Sequence, residues 1–218
     1  MPRPRLPILI EAPVIVDGSL GGVIVDLAGD ADSVVVANPL RYALHTRRLL
    51  EAVTREPVQS FFAAWRFRSA SNTEHALPQL LDYLGALCPE PPVRISAMQH
   101  REQPIVIVSL RCASDVLGNI EVGGHLPRSF PTSSELVLEC FCEASALVCE
   151  PGHQAVEVYG AERGAHAWQP EPGDAIVTAF AGWLRGGPRP PGSLADNVAN
   201  LRLVDRVSAA LHTGAVLA

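Results

Sequence analysis

A chain of 218 residues, 48% of them apolar and 18% charged, is long enough to bury one sizeable core with a short appendage. Its formal net charge is −6 and its basic residues do not cluster, which argues against a nucleic-acid partner, since that leaves a footprint of grouped positive charge. There is no run of about 18 apolar residues, and the apolar stretch that follows Arg5 soon meets Glu11. Neither a membrane-spanning helix nor a signal peptide is expected, so the sequence reads as cytoplasmic.

Two details of composition narrow the chemistry. All seventeen basic residues are arginine, so no Schiff base and no lysine acid or base can come from this chain. The five cysteines (Cys88, Cys112, Cys140, Cys142 and Cys149) are odd in number, which argues against a disulfide framework. Cys140 and Cys142 fall on one face of a strand and read as small buried hydrophobes. Cys149 and His153 offer two metal ligands with nothing nearby to complete a tetrahedron, so no metal is expected.

In chain order, residues 6–16 read as a short strand running into a loop at Glu11-Ala12-Pro13, and residues 19–27 as a short helix weakened by Gly21 and Gly22. The β-branched run 33–37 predicts a buried strand. Residues 40–53 predict a helix with Leu40, Ala43, Leu44, Leu49, Leu50 and Val53 on one face. A strand over 57–67 precedes a helix over 73–87, whose core stripe is Leu77, Leu80, Leu81 and Leu84, with Pro78 tolerated in its first turn. Seven short strand-like segments between 93 and 168, separated by Gly, Pro, Ser and Asp, predict an antiparallel meander. Helices over 172–184 and 194–212 close the chain, joined by a Gly/Pro connector, with Asp196 in a first turn and Gly214 past the last one. The fold class is α+β, a large and mostly antiparallel open sheet with helices on one face.

Certain motifs stand at set places in this order. Ile8-Leu-Ile-Glu-Ala-Pro13 ends one strand. Val34-Val-Val-Ala-Asn-Pro-Leu-Arg-Tyr42 leads from the next into a helix, and Ser71-Asn-Thr-Glu-His75 opens another. The ordered set resembles the Gfo/Idh/MocA oxidoreductases over nearly the whole chain. The resemblance implies that residues 1–56 are a remnant of the last Rossmann strands with a linker helix, and that 57–218 are the substrate-side sheet domain. The family's Gly-rich strand–turn–helix unit has no counterpart in this sequence, so no NAD(P) and no other cofactor is expected.

The resemblance also locates chemistry and its loss. The family's Glu-Lys-Pro lysine, which assists proton transfer, is matched here by Ala12, a residue with nothing to titrate. Its Asp-x-x-x-His pair is matched by Ser71 and His75, so the imidazole is kept without the carboxylate that would stabilise its charged form. His75 is the candidate catalytic residue. Glu11, Asn38 and Arg41 are the candidate substrate contacts, Arg41 by a bidentate grip on a carboxylate or phosphate. The alternative for Arg41 is a surface or interdomain salt bridge, and for Glu11 a structural role at an Ala12–Pro13 bond that is a candidate for cis.

Three functions follow as expectations. The first is a non-redox binding or dimerisation scaffold, a pseudoenzyme pairing with itself or with a full-length relative through its sheet. The second is a non-redox isomerase, lyase or cyclase acting on a small polar or carbonyl metabolite through His75. The third is the substrate-side part of a split or truncated NAD(P)-dependent oxidoreductase.

Overall fold

The computed structural model describes residues 7–11, 30–54, 56–88, 90–150, 155–160, 163–167 and 175–217. The helix expected over 19–27, the Ala12–Pro13 bond, His153 and Trp168 lie outside them.

Strand β1 (Ile8–Glu11) pairs in parallel with β2 (Val34–Ala37), Glu11 opposite Ala37. All four residues of β2 are buried, as a continuous β-branched run requires. The single helix expected next is two: α1 (Pro39–Tyr42) and α2 (Leu44–Val53), broken at Ala43, whose ψ of 134° is extended. Asn38 caps α1 by accepting a hydrogen bond from the Leu40 amide at 3.0 Å. At the break the buried Thr46 hydroxyl donates to the Leu40 carbonyl, which the interrupted helix leaves open, and to the Ala43 carbonyl, which also accepts from the Arg47 amide at 3.0 Å.

Ten-residue β3 (Val58–Phe67) is followed by α3 (Thr73–Leu87). Leu80, Leu81 and Leu84 are buried as the stripe predicts, joined by Ala76 and Tyr83. Pro78 is the sixth residue of α3, past the first turn, so the carbonyl of residue 74 loses its usual helical donor. The Pro78 carbonyl itself accepts from Asn200 Nδ2 at 3.0 Å.

The remaining strands are β4 (Pro92–Gln99), β5 (Ile105–Cys112), β6 (Leu117–Gly123), β7 (Ser134–Cys142), β8 (Ala146–Glu150), β9 (Ala155–Tyr159) and β10 (Arg163–Ala167). They form one eight-stranded sheet in the order β10-β9-β8-β7-β3-β6-β5-β4. The expected meander is therefore two meanders, with β3 inserted between them, antiparallel to β7 and parallel to β6. Only β3 could do this, because a parallel pair needs a long crossover, and α3, β4 and β5 supply it. Gly118 is required beside this strand. The Phe61 ring lies over it, and a Cβ there would sit 1.8 Å from ring carbon Cζ.

Helices α2, α3 and α5 (Leu194–Thr213) pack on one side of the sheet, where Leu49, Leu80, Leu81, Ile95, Val108, Ile120, Leu138 and Val207 make a continuous core. Helix α4 (Ala175–Leu184) instead packs against Val35, Ala37 and Tyr42 of the small sheet and α1. Ser193 and Asp196 form a reciprocal capping box at the start of α5, and Gly214 ends it at φ 62°. Past α5, Leu217 exchanges two 2.8 Å backbone hydrogen bonds with Ile95 and covers part of the β4 edge. No helix among the described residues is long and apolar enough to cross a membrane.

Candidate functional site: a cleft between α3 and α5

The break at Ala43 sets the direction of α1, and α1 carries Arg41 to the middle of α3. Arg41 Nε donates to Asp82 Oδ2 at 2.7 Å and Nη2 to Oδ1 at 2.8 Å, a bidentate fork, and Nη2 also reaches the Asp82 carbonyl at 3.0 Å. Both side chains are close to 90% shielded, at 13% and 11% exposure. Asn38 joins them, donating through Nδ2 to Asp82 Oδ2 at 2.7 Å and to the Gln79 carbonyl at 2.8 Å. Behind this cluster Tyr42 donates its hydroxyl to the Pro191 carbonyl, and burial pushes the phenol up to about 12.

Two of the four expected site residues, Asn38 and Arg41, thus meet on Asp82. The other two do not join them. His75 is exposed, with no hydrogen-bond partner among the described residues. It lies seven residues before Asp82, two turns and roughly 10 Å along α3 on the same stripe. Glu11 is brought near only by its backbone, paired with Ala37 next to Asn38, and its side chain lies outside the described residues.

From Arg41 and Asp82 a cleft of about 500 Å³ runs between α3 and α5 to the ends of β4 and β5. Its volume is in the range of small-molecule sites. Asn200, Arg202 and Arg206 line the α5 wall; Cys88 and Cys112 lie along the opposite side with Glu90. Arg206 donates to the Pro92 carbonyl at 2.7 Å. Neither Arg202 nor Arg206 has a carboxylate within ion-pair distance among the described residues. Asn200 Oδ1 is buried without a hydrogen-bond partner. The cleft therefore offers the Arg202 and Arg206 guanidinium donors, the open Asn200 acceptor and the carboxylates of Glu90 and Asp196, while the charge of Arg41 is already met by Asp82. His75 does not line it.

Asp82, Asn200 and Arg206 were not singled out by the sequence. Each sits on an amphipathic helix where a polar residue reads as solvated surface. No cluster of three or more metal-ligating side chains occurs among the described residues.

The fold is that of the Gfo/Idh/MocA-type oxidoreductases, which the solved structures make plain. UDP-N-acetylglucosamine 3-dehydrogenase from Acidithiobacillus ferrooxidans superposes with a TM-score of 0.76 at 11% identity, over 94% of this chain and 70% of that one. A myo-inositol dehydrogenase from Corynebacterium glutamicum gives 0.73 at 19% identity, over 97% and 72%. Aldose-aldose oxidoreductase from Caulobacter crescentus gives 0.74 at 14% identity, over 96% and 71%. No protein-family model and no curated protein matches the chain in sequence.

Proposed function

We propose that this chain serves as a non-redox binding and dimerisation module, pairing through the sheet face opposite α2, α3 and α5. The observation that carries the reading is that this face has no helix over it among the described residues. In-register rows cross it, one running Val137–Ala64–Glu121–Ile107–Met98 and another Phe141–Ser60–Leu117. Ile107, Leu117, Phe141 and Met98 are 39%, 54%, 42% and 63% exposed. Arg66 stands among them, forked on Glu121 (2.7 and 2.9 Å) and bonded to Glu135 at 2.8 Å. Exposed apolar side chains around an ionic centre, in which one guanidinium meets two carboxylates, can form an isologous contact, where each patch meets its own copy. The division into a remnant (1–56) and a sheet domain (57–218) belongs to the same proposal.

The non-redox part rests on Ala12. It stands where the resemblance expects the proton-transfer lysine, and the chain has no lysine to substitute. Sedimentation of the purified chain at micromolar concentration tests the proposal. A dimer is expected; a monomer would sink it. An NADH titration followed by fluorescence is expected to give no saturable binding, and hydride transfer by the chain would overturn the non-redox reading.

A second reading is favoured by the open acceptor of Asn200 beside Arg202 and Arg206. In it the cleft holds a small polar anion bearing a hydroxyl, with Asn200 accepting from the hydroxyl and the arginines donating to the anion. A thermal-shift survey of hydroxy acids and sugar acids, repeated on Arg206→Gln, tests it. Stabilisation lost in the variant is expected, and equal stabilisation of both proteins rules the cleft out.

A further inference from the structure

The two cysteines at the β5 end of the cleft come from distant parts of the chain. Cys88 follows α3, its amide still donating to the Leu84 carbonyl at 2.8 Å. Cys112 ends β5, in register with Pro92 of β4, and closes a turn through hydrogen bonds with Val116 and Asp115. Their side chains share one buried cluster and one cleft, and each thiol bears on the other's proton. Both line the cleft, although each is at least 90% buried. Cys140, Cys142 and Cys149 are also buried free thiols, but on the strands β7 and β8 and outside this cleft.

We propose that Cys88 and Cys112 form a thiol pair that closes to a disulfide when a small two-electron oxidant of the peroxide class enters the cleft. The roles are unequal. The neighbouring Cys88 thiol holds the Cys112 thiol below its ordinary range, and Cys112 together with burial holds Cys88 protonated. The thiolate is the nucleophile in such reactions, so Cys112 attacks first. Its sulfur forms a bond to one peroxide oxygen and the O–O bond breaks, leaving a sulfenic acid, while the departing hydroxide takes up the proton that the thiol had released and becomes water. Cys88 sulfur then attacks Cys112 sulfur. The S–S bond forms, the S–O bond breaks, and the departing hydroxide combines with the Cys88 proton as water. In sum, two thiols and one hydrogen peroxide give one disulfide and two waters.

The bridge would tie the residue after α3 to the end of β5 and fix that wall of the cleft. It makes no use of the sheet face, so it stands apart from the dimerisation proposal.

The test is hydrogen peroxide treatment of the full chain, followed by denaturation, alkylation and mass spectrometry. Two of the five thiols are expected to escape alkylation. Because the chain has no lysine, trypsin cuts only at arginine, and the expected linked peptides are 69–94 and 112–128. Cys88→Ser and Cys112→Ser are each expected to abolish this linked pair, Cys112→Ser also removing the sulfenic acid that a dimedone probe traps at that position in Cys88→Ser. Five alkylated thiols after treatment, or a bridge among Cys140, Cys142 and Cys149 instead, would overturn the proposal. The wild-type peptide map decides the matter even if a variant fails to fold.

Discussion

The two faces of the eight-stranded sheet are built from the same strands and differ in nearly everything else. Toward the helices, Phe61, Val108, Ile120, Leu138 and Cys140 are buried, and burial pushes the Cys140 thiol up to about 12. One residue along each strand, the other face presents Phe62, Ser109, Glu121 and Glu139, with Ser109 donating to Asn119 across strands at 2.7 Å. Strand alternation puts these two chemistries 180° apart. The lesson is that the covered face holds the molecule together, and the open face is free to specify what it meets.

The comparison can be broken first from the covered side. Leu138→Ala, at 1% exposure, is expected to cost about 2–5 kcal/mol in urea unfolding, since the cavity left under α3 cannot fully collapse. A loss below about 1 kcal/mol would mean the helices pack less closely than described. Next is the junction between the small sheet and α3. Asp82→Ala strips the partner from Arg41 and one acceptor from Asn38, and is expected to cost about 1–3 kcal/mol in the same measurement. Asp82→Asn should recover part of this by keeping one acceptor.

The open face should respond differently. Ile107→Arg is expected to leave unfolding within about 0.5 kcal/mol of wild type, because the side chain is exposed in the single chain. The same change should weaken self-association at least about tenfold in sedimentation, since it places an unpaired charge in the contact. Equal losses in both assays would erase the distinction between the faces.

The smallest effect is electrostatic. The Arg66 guanidinium holds the Glu121 carboxyl below its usual range, so the folded state binds its proton less readily than the unfolded state. Stability from this pair is present above the ordinary carboxylate pKa and is lost as pH falls through the depressed one. Solvent reaches both side chains, so the contribution is about 1 kcal/mol or less. Glu121→Gln should flatten the acid limb of a stability–pH curve by that amount; an unchanged limb would show the pair to be silent.

Much of this was legible in the sequence, wherever one element's own residues decide the outcome. The leucine stripe of α3, Asp196 in the first turn of α5 and Gly214 past its end are local signals and appear as expected, whereas the reciprocal cap with Ser193 was not foreseen. What the sequence hid depends on residues far away. Nothing near Ala43 announces a break, because its cause is what it allows: Tyr42 reaching Pro191 and Arg41 reaching Asp82. The motif residues Asn38 and Arg41 were visible, whereas Asp82, which holds both, looked like one more solvated charge on a helix. The adjacency of Cys88 and Cys112 was hidden for the same reason, being made by two elements that neither cysteine's neighbours reveal.

The insertion of β3 has a consequence for how the molecule comes into being. Phe67 pairs with Ser134, and Ala63 needs both Ile120 and Leu138. The strand at the heart of the sheet is thus the first of its eight to leave the ribosome, yet its backbone groups wait for partners that emerge more than fifty residues later. Such long-separated pairings slow assembly, and the nascent segment with Phe61, Phe62 and Trp65 stays open to mispairing in the interval.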